Sequence, residues 1–394
     1  MESTPRANRL HIGIFGRRNS GKSSLINALC GQQTAIVSDV AGTTTDAVFK
    51  SMEIHGLGPC VLIDTAGFDD DGELGSMRVA QTRKVAEQTD VAIVICNSAD
   101  CTEEQAWMRY FAEQEVPVVP VLNKIDLLSD VAVVRDAISK VLKQTPICVS
   151  TQRPETMAAL RQALIAVVPE HFQRTSIVGD LVVAGDTVLL VMPQDAQAPA
   201  GRLILPQVQT IRDLLNKPCT VVCCTADGME AALASLKQAP TLIITDSQVF
   251  GIVYDRKPAE SRLTSFSVLF AQYKGDIEVF IAGARAIDTL TEQSRVLIAE
   301  ACTHAPLSED IGRVKIPALL RRRVGVKLQI DIVAGNDFPA DLSPYSLVIH
   351  CGACMFNRRH VLHRIAQAQA QHVPITNYGI CIAHLKGILD KIVH

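Results

Sequence analysis

The sequence predicts an α/β protein that opens with a doubly wound parallel sheet and continues into two smaller α/β regions. Three features point there. Between residues 11 and about 169, short β-branched runs alternate with helix-length segments, the pattern of buried strands joined by crossover helices. A complete G-x-x-x-x-G-K-S loop, from Gly16 to Ser23, lies where the first run meets the first helical segment. Hydrophobic residues make up 48% of the chain but aromatics only 4%, with Trp107 the single tryptophan. Val, Leu, Ile and Ala must therefore fill the cores, a usage that suits α/β layers. At 394 residues the chain exceeds one ordinary core.

Taken in order, strands are expected at 11–15, 61–63, 91–96, 116–122 and 146–149, with the first helix opening at Ser24. Periodicity lapses over 169–179, which reads as a linker. A second alternating region has apolar runs at 188–192, 220–224 and 241–245, separated by amphipathic stretches at 208–215 and 229–236. It is expected to end near Lys257-Pro258. Helix-like segments at 262–273 and 282–300 then precede strands at 327–332 and 346–350. The expected domains are 1–172, 173–260 and 261–394.

A formal net charge of −3 and the lack of a Lys/Arg run oppose a general nucleic-acid binder, which needs a basic surplus. The polar amino terminus and the lack of a long uncharged apolar stretch predict neither signal peptide nor membrane span, so the expected location is the cytoplasm. Twelve cysteines in that compartment are not a disulfide scaffold. They are apolar filler or metal and redox sites.

In the loop, Gly16, Asn19, Ser20 and Gly21 curl backbone N–H groups around phosphates at a helix amino terminus. Lys22 reaches the β/γ oxygens, and Ser23, followed by Ser24, offers a hydroxyl to Mg²⁺. Asp64-Thr65-Ala66-Gly67 ends the 61–63 run, where Asp64 can hold the metal's water shell and Gly67 can present its N–H to a γ-phosphate. Thr44, in Gly42-Thr43-Thr44-Thr45-Asp46, is the expected switch threonine closing on Mg²⁺. Asn123-Lys124-Ile125-Asp126 ends the 116–122 run. A carboxylate at Asp126 accepts both N1–H and the 2-amino proton of guanine, a pair of donors adenine lacks. Ser150 and Thr151 stand where a base-binding loop belongs. An Asn or Asp at one strand end is usually a turn former, but four such boxes in this order form a strong signal.

These boxes resemble those of translation-factor-class GTPases, and the Asn19 loop and Gly-Thr-Thr-Thr-Asp segment look closest to the Era and TrmE branch. The resemblance implies a Ras-like P-loop domain that binds GTP/GDP with Mg²⁺ and hydrolyses GTP. Phe68 stands where Ras-like enzymes carry a catalytic glutamine, and an Asn at the position of Asn19 implies a bound K⁺ in place of an arginine finger. Glu73 reads as a solvated carboxylate rather than a group that orients water.

A second constellation lies in the last third. Cys302-Thr303-His304 is answered, far downstream, by His350-Cys351-Gly352-Ala353-Cys354, which a short apolar run delivers into a turn. The C-x-x-C turn sets two sulfurs within bite of one soft metal, with Gly352 expected to allow the tight backbone and Cys302 a third thiolate. Mixed Cys/His ligation suits a structural zinc, while three thiolates with an open fourth position suit an iron–sulfur cluster. On spacing alone both stay open.

C-x-H, a long gap and H-C-x-x-C behind a GTPase domain resemble the HydF family, the GTPases that mature [FeFe]-hydrogenase. The segments Asn377-Tyr378-Gly379-Ile380-Cys381, Met192-Pro193-Gln194-Asp195 and Gly201-Arg202-Leu203-Ile204-Leu205-Pro206-Gln207 are also similar to that family. The resemblance implies a GTP-binding domain, a dimerisation domain that makes a homodimer, and a domain holding a [4Fe–4S] cluster on Cys302, Cys351 and Cys354. For the fourth position it leaves His304, His350, Glu309, Asp310 or an exchangeable water. It further implies a transient diiron cargo with CO and CN⁻ ligands, taken from the radical-SAM maturases HydE and HydG and delivered to apo-[FeFe]-hydrogenase (HydA). The competing expectation is a ribosome- or tRNA-associated Era/TrmE-like GTPase with a structural zinc. His360 and His363 read as a solvated helix face, and Arg358, Arg359 and Arg364 as a positive wall or an acidic-partner contact. Cys30, Cys96 and Cys148 read as packing, Cys381 as packing or a lining of the cluster pocket, and Cys223 and Cys224 as opposite faces of one strand.

Overall fold

The computed structural model describes residues 5–30, 38–40, 47–67, 73–168, 176–193, 203–300, 311–335, 337–353 and 356–394. The chain divides into two compact units, Met1–Arg174 and Thr175–His394.

The first unit is built on a seven-stranded sheet of order β2-β3-β4-β1-β5-β6-β7. Its strands are β1 (Leu10–Gly16), β2 (Ser38–Val40), β3 (Val48–Ile54), β4 (Gly58–Asp64), β5 (Val91–Cys96), β6 (Val118–Leu122) and β7 (Ile147–Cys148). Helices α1 (Lys22–Cys30), α2 (Glu73–Ala86), α3 (Thr102–Glu113), α4 (Val131–Leu142) and α5 (Thr156–Val167) connect them. β1 and β5 are buried along their whole length, as continuous apolar runs demand of central parallel strands. The sheet is not wholly parallel, contrary to expectation: β3 pairs with β4 antiparallel from Val48 opposite Asp64 to Ile54 opposite Gly58. A two-strand turn through Gly56 and Gly58, both at positive φ, is too short for a crossover and forces the reversal. β3 (VFKSMEI) escaped notice because it is half exposed and interleaves polar residues. Trp107 of α3 stacks on Phe15 at 5.4 Å, closing the aromatic corner of this unit.

The second unit holds two four-stranded parallel sheets, β11-β10-β8-β9 and β13-β12-β14-β15. The strands are β8 (Thr187–Val191), β9 (Thr220–Cys224), β10 (Leu242–Thr245), β11 (Arg262–Ser265), β12 (Arg295–Glu300), β13 (Gln329–Ala334), β14 (Leu347–His350) and β15 (Ile375–Asn377). The helices are α6 (Leu205–Asn216), α7 (Met229–Ala234), α8 (Phe250–Arg256), α9 (Phe266–Lys274), α10 (Ile277–Arg285), α11 (Ile316–Val324), α12 (Arg358–Ala370) and α13 (Tyr378–Leu385). One apolar core joins the sheets, with Leu189 and Ile243 of the first in the same cluster as Leu297 and Val348 of the second.

Two expected helices divide. The 262–273 segment starts as edge strand β11, and the Ser265 hydroxyl then accepts from the Val268 N–H to cap α9. A strand of the first sheet of this unit thus lies beyond residue 260. The 282–300 segment finishes α10, passes a 3₁₀ turn at Ala286–Thr289 and becomes β12. The Thr291 N–H bonds the Ser294 hydroxyl at 3.0 Å, and that turn separates two apolar runs which periodicity alone reads as one. Of the expected linker, 169–175 lie outside the described residues, while Ile177 and Val178 are buried in a core of the second unit. Among the described residues no helix is long and apolar enough to cross a membrane.

Candidate functional site

At the nucleotide boxes the backbone is committed before any side chain acts. Asn19 (φ 59°) and Gly21 (φ 95°) hold the loop after β1 in left-handed conformations, which successive inward-facing N–H groups require. Gly21 also has no room for a side chain: a Cβ there would stand 2.4 Å from Asn123 Nδ2. Asn123 is buried and donates to the Ser20 carbonyl at 2.9 Å, and Lys124 donates to the Asn19 carbonyl at 2.6 Å. The end of β6 thereby clamps the loop after β1. Lys22 is buried, its ammonium donating to the carbonyls of Gly16 and Arg17 at 2.9 Å each.

Ser23 Oγ donates to Asp64 Oδ2 at 2.5 Å, so the loop hydroxyl and the β4 carboxylate share one point, a donor set of hard oxygens suited to Mg²⁺. Burial pushes the Asp64 carboxyl up, opposed by Ser23 and Lys22. Asp126 is exposed and accepts from the Ser150 hydroxyl, which holds its carboxyl below the usual range and keeps it an acceptor. Ser150 in turn takes the Gln152 N–H at 3.1 Å, placing 150–152 as a rigid turn beside Asp126. Two buried polar atoms, Ser20 Oγ and Asn123 Oδ1, have no hydrogen-bond partner among the described residues, as fits a loop built to meet a ligand.

Gly16, Asn19, Ser20, Gly21, Lys22, Ser23, Asp64, Asn123, Lys124, Asp126 and Ser150 are thus joined by direct bonds or adjacency at the carboxyl ends of β1, β4, β6 and β7. Ser24 begins an exposed face of α1, Thr151 is half-buried after Ser150, and Gly67 follows β4. Thr44 and Phe68 lie outside the described residues, and Glu73 opens α2. Sequence reasoning passed over Arg17. Its guanidinium meets Glu104 at 3.2 Å, Asp100 at 3.3 Å and Glu103 at 3.7 Å, and no motif position names it because the loop pattern leaves that residue free.

At the second constellation, β14 delivers His350 and Cys351 as expected, and the Cys351 N–H bonds the Ala299 carbonyl at 3.0 Å. Cys351 is half-buried, and its sulfur takes the Ala353 N–H at 3.4 Å, the contact that favours a thiolate. The strained residue of the turn is Ala353 (φ 50°), not Gly352, around whose Cβ position the space is open. Cys302, His304, Glu309, Asp310 and Cys354 lie outside the described residues. Among the described residues no group of three His, Cys, Asp or Glu side chains could hold a metal.

His350, expected as a candidate ligand, has both ring nitrogens engaged by protein groups. Its Nδ1 donates to the Cys351 carbonyl at 2.7 Å and its Nε2 accepts from Arg364 at 2.9 Å. Burial, then the Arg364 charge, pushes its pKa down to about 3, which keeps the ring neutral. Arg364 also donates to the Gly335 carbonyl at 2.6 Å and is buried, and Arg358 donates to the carbonyls of Gln272 and Tyr273. Neither forms an open positive wall. His360 is buried and stacks on Phe356 at 4.2 Å, not a solvated face. Cys381 is fully buried, its thiol pushed up to about 12 by burial, and packs as expected.

Comparison with known proteins divides the chain in three. Residues 11–124 match the family model of the 50S ribosome-binding GTPases. Residues 177–275 match the hydrogen maturase F dimerization domain, and 278–394 the hydrogen maturase F tetramerization domain. Curated relatives include the tRNA modification GTPase MnmE of Nitrosomonas europaea, 39% identical over 120 residues, which covers 30% of this chain and 26% of that protein. MnmE of Coxiella burnetii is 40% identical over 126 residues, covering 30% and 27%. The chain therefore spans about a quarter of the length of these relatives. Among solved structures, Era of Aquifex aeolicus bound to GDP and AlF₄⁻ matches with 19% identity and a TM-score of 0.34, covering 55% of this chain and 92% of that one. The first unit, with its P-loop between β1 and α1, is a Ras-like GTPase domain, and both hydrogen maturase F models fall within the second unit.

Proposed function

Because this chain belongs to the hydrogen maturase F family, a hydrogenase maturation GTPase that self-associates through its dimerization and tetramerization domains, we propose that it carries a [4Fe–4S] cluster and a diiron cargo. What carries the reading is one coincidence: a P-loop whose lysine, serine and aspartate are already assembled stands in the same chain as a half-buried Cys351 whose sulfur accepts a backbone N–H. Cys302, Cys351 and Cys354 hold the cluster, and His350 orients the Cys351 carbonyl instead of binding iron. Bound on these cysteines, the cluster would supply an iron able to take an exchangeable ligand and so to receive the CO- and CN⁻-bearing diiron unit. HydE and HydG supply that unit and apo-[FeFe]-hydrogenase (HydA) accepts it. GTP binding and hydrolysis change the population of partner-competent states and take no part in building the cargo.

The test is anaerobic reconstitution with iron and sulfide, followed by EPR of the reduced protein with and without added imidazole or cyanide. A brown protein whose signal shifts with the added ligand supports the reading, and Cys351→Ala removes the colour. A colourless zinc protein indifferent to iron and sulfide sinks it in favour of the ribosome- or tRNA-associated alternative.

Hydrolysis is also proposed to need K⁺, held by Asn19, whose left-handed backbone and lysine-bound carbonyl fix it beside the phosphate loop. Turnover is expected to be at least about tenfold faster in K⁺ than in Na⁺, a fraction of what an arginine finger contributes. Equal rates in the two salts would remove K⁺ from the account.

A further inference from the structure

Glu104, in the first turn of α3, is a buried carboxylate that no nucleotide box contains. Its side chain is only 2% exposed, and its Oε2 has no hydrogen-bond partner among the described residues. Burial is the largest influence on it and pushes its pKa up. Removing a carboxylate from water costs several kcal/mol unless a cation answers it, and the cation here is Arg17, whose Nε stands 3.2 Å from Glu104 Oε1. Asp100 and Glu103 reach the same guanidinium at 3.3 and 3.7 Å, but their side chains are 67% and 46% exposed, so solvent and salt screen them.

The other end of Arg17 faces the chemistry. Its carbonyl accepts the Lys22 ammonium at 2.9 Å and also the Ser20 N–H at 3.2 Å. The residue thus joins a fixed point in α3 to the lysine that meets the transferred phosphate, and it forms the turn from which the loop's N–H groups project. A guanidinium clasped at one end leaves its own main chain little freedom to rotate. We propose that Glu104 is a positioning residue for GTP hydrolysis, acting through Arg17 to set the loop carbonyl that orients Lys22. Phosphoryl transfer depends on positioning and electrostatics more than on covalent chemistry, so small displacements of this lysine appear in the transition state.

Steady-state GTP hydrolysis by the full chain tests this with three variants: Glu104→Ala, Glu104→Gln and the double Arg17→Ala/Glu104→Ala. The expected result for Glu104→Ala is a kcat about tenfold lower with KM within about twofold, since a displaced lysine harms the transition state more than ground-state binding. Glu104→Gln keeps the shape and a carbonyl oxygen facing Arg17 Nε, which stands in ion-pair contact without a hydrogen bond, and retains kcat within about threefold of the parent. The double variant matches Glu104→Ala, because Arg17 without its anchor no longer holds the loop. Glu104→Ala leaves the Arg17 guanidinium, 22% exposed, with only Asp100 and Glu103 as partners, while Glu104→Gln preserves the shape, so the thermal midpoint is measured beside kcat for each variant. A Glu104→Ala kcat within twofold of the parent overturns the proposal. So does a lowered thermal midpoint with kcat unchanged below it, which marks a purely structural role, or a further tenfold loss in the double variant, which marks Arg17 as independent.

Discussion

Replacing Lys22 by alanine lowers GTP turnover by roughly 10²- to 10³-fold, the effect of removing one preorganised donor from a developing oxyanion. The ammonium is already in place: it is buried at the mouth of α1 and pinned by two carbonyls, Gly16 and Arg17, at equal distance. Reaching the β/γ oxygens therefore takes an exchange of acceptors and no search by a free side chain. Removing it deprives two loop carbonyls of a charged donor, a local cost of about 1–3 kcal/mol. That cost falls on the first unit, whose cores around Ile12 and Phe15 are separate from those of the second. The reconstituted cluster should keep its absorbance. Phosphate release at saturating GTP measures the first effect, and the visible spectrum of the same sample the second. Lys22→Met, which keeps the apolar stem, should lose as much activity. Turnover within a few-fold of the parent in both variants would falsify the role of Lys22.

Much of this site was legible because phosphate chemistry constrains consecutive residues. The loop from Gly16 to Ser23, Asp64, and Asn123 to Asp126 announce themselves in sequence, and the structure joins them through Ser23–Asp64 and Asn123–Ser20. What stayed hidden depends on residues that are neighbours only after folding. Arg17 occupies a position the loop pattern leaves open, and its meaning comes from Glu104 on a helix four strands away in the chain. His350 looked like a ligand because histidine beside C-x-x-C suits a metal. Its engagement by Arg364 depends on an α12 arginine that folding brings to the end of β14. The missed strands have equally physical causes. β3 shows one half-polar face to solvent, β11 is short and runs straight into a capped helix, and β12 follows α10 with only a brief turn between two apolar runs. Continuous apolar strands such as β5 and β8 needed none of that context.

Base selectivity gives the other large effect. Asp126→Asn is expected to weaken GTP on the order of 10²-fold or more and to strengthen xanthosine triphosphate relative to it, because a site built around paired hydrogen bonds rejects a ligand that cannot make them. Guanine presents N1–H and a 2-amino group, both donors, to a carboxylate that is exposed at the end of β6 and kept ionised by the Ser150 hydroxyl. Xanthine replaces the amino group with a carbonyl. An asparagine meets it with one acceptor and one donor, while its oxygen still accepts from Ser150. Ser150→Ala separates the two contributions: it loosens the orientation of Asp126 and weakens GTP and xanthosine triphosphate alike, without exchanging their order. Competition of both triphosphates against a fluorescent guanine nucleotide reads the ratio directly. If Asp126→Asn retains the parent's preference for GTP, guanine is read by other residues, and the rigid turn at 150–152 has no partner to hold.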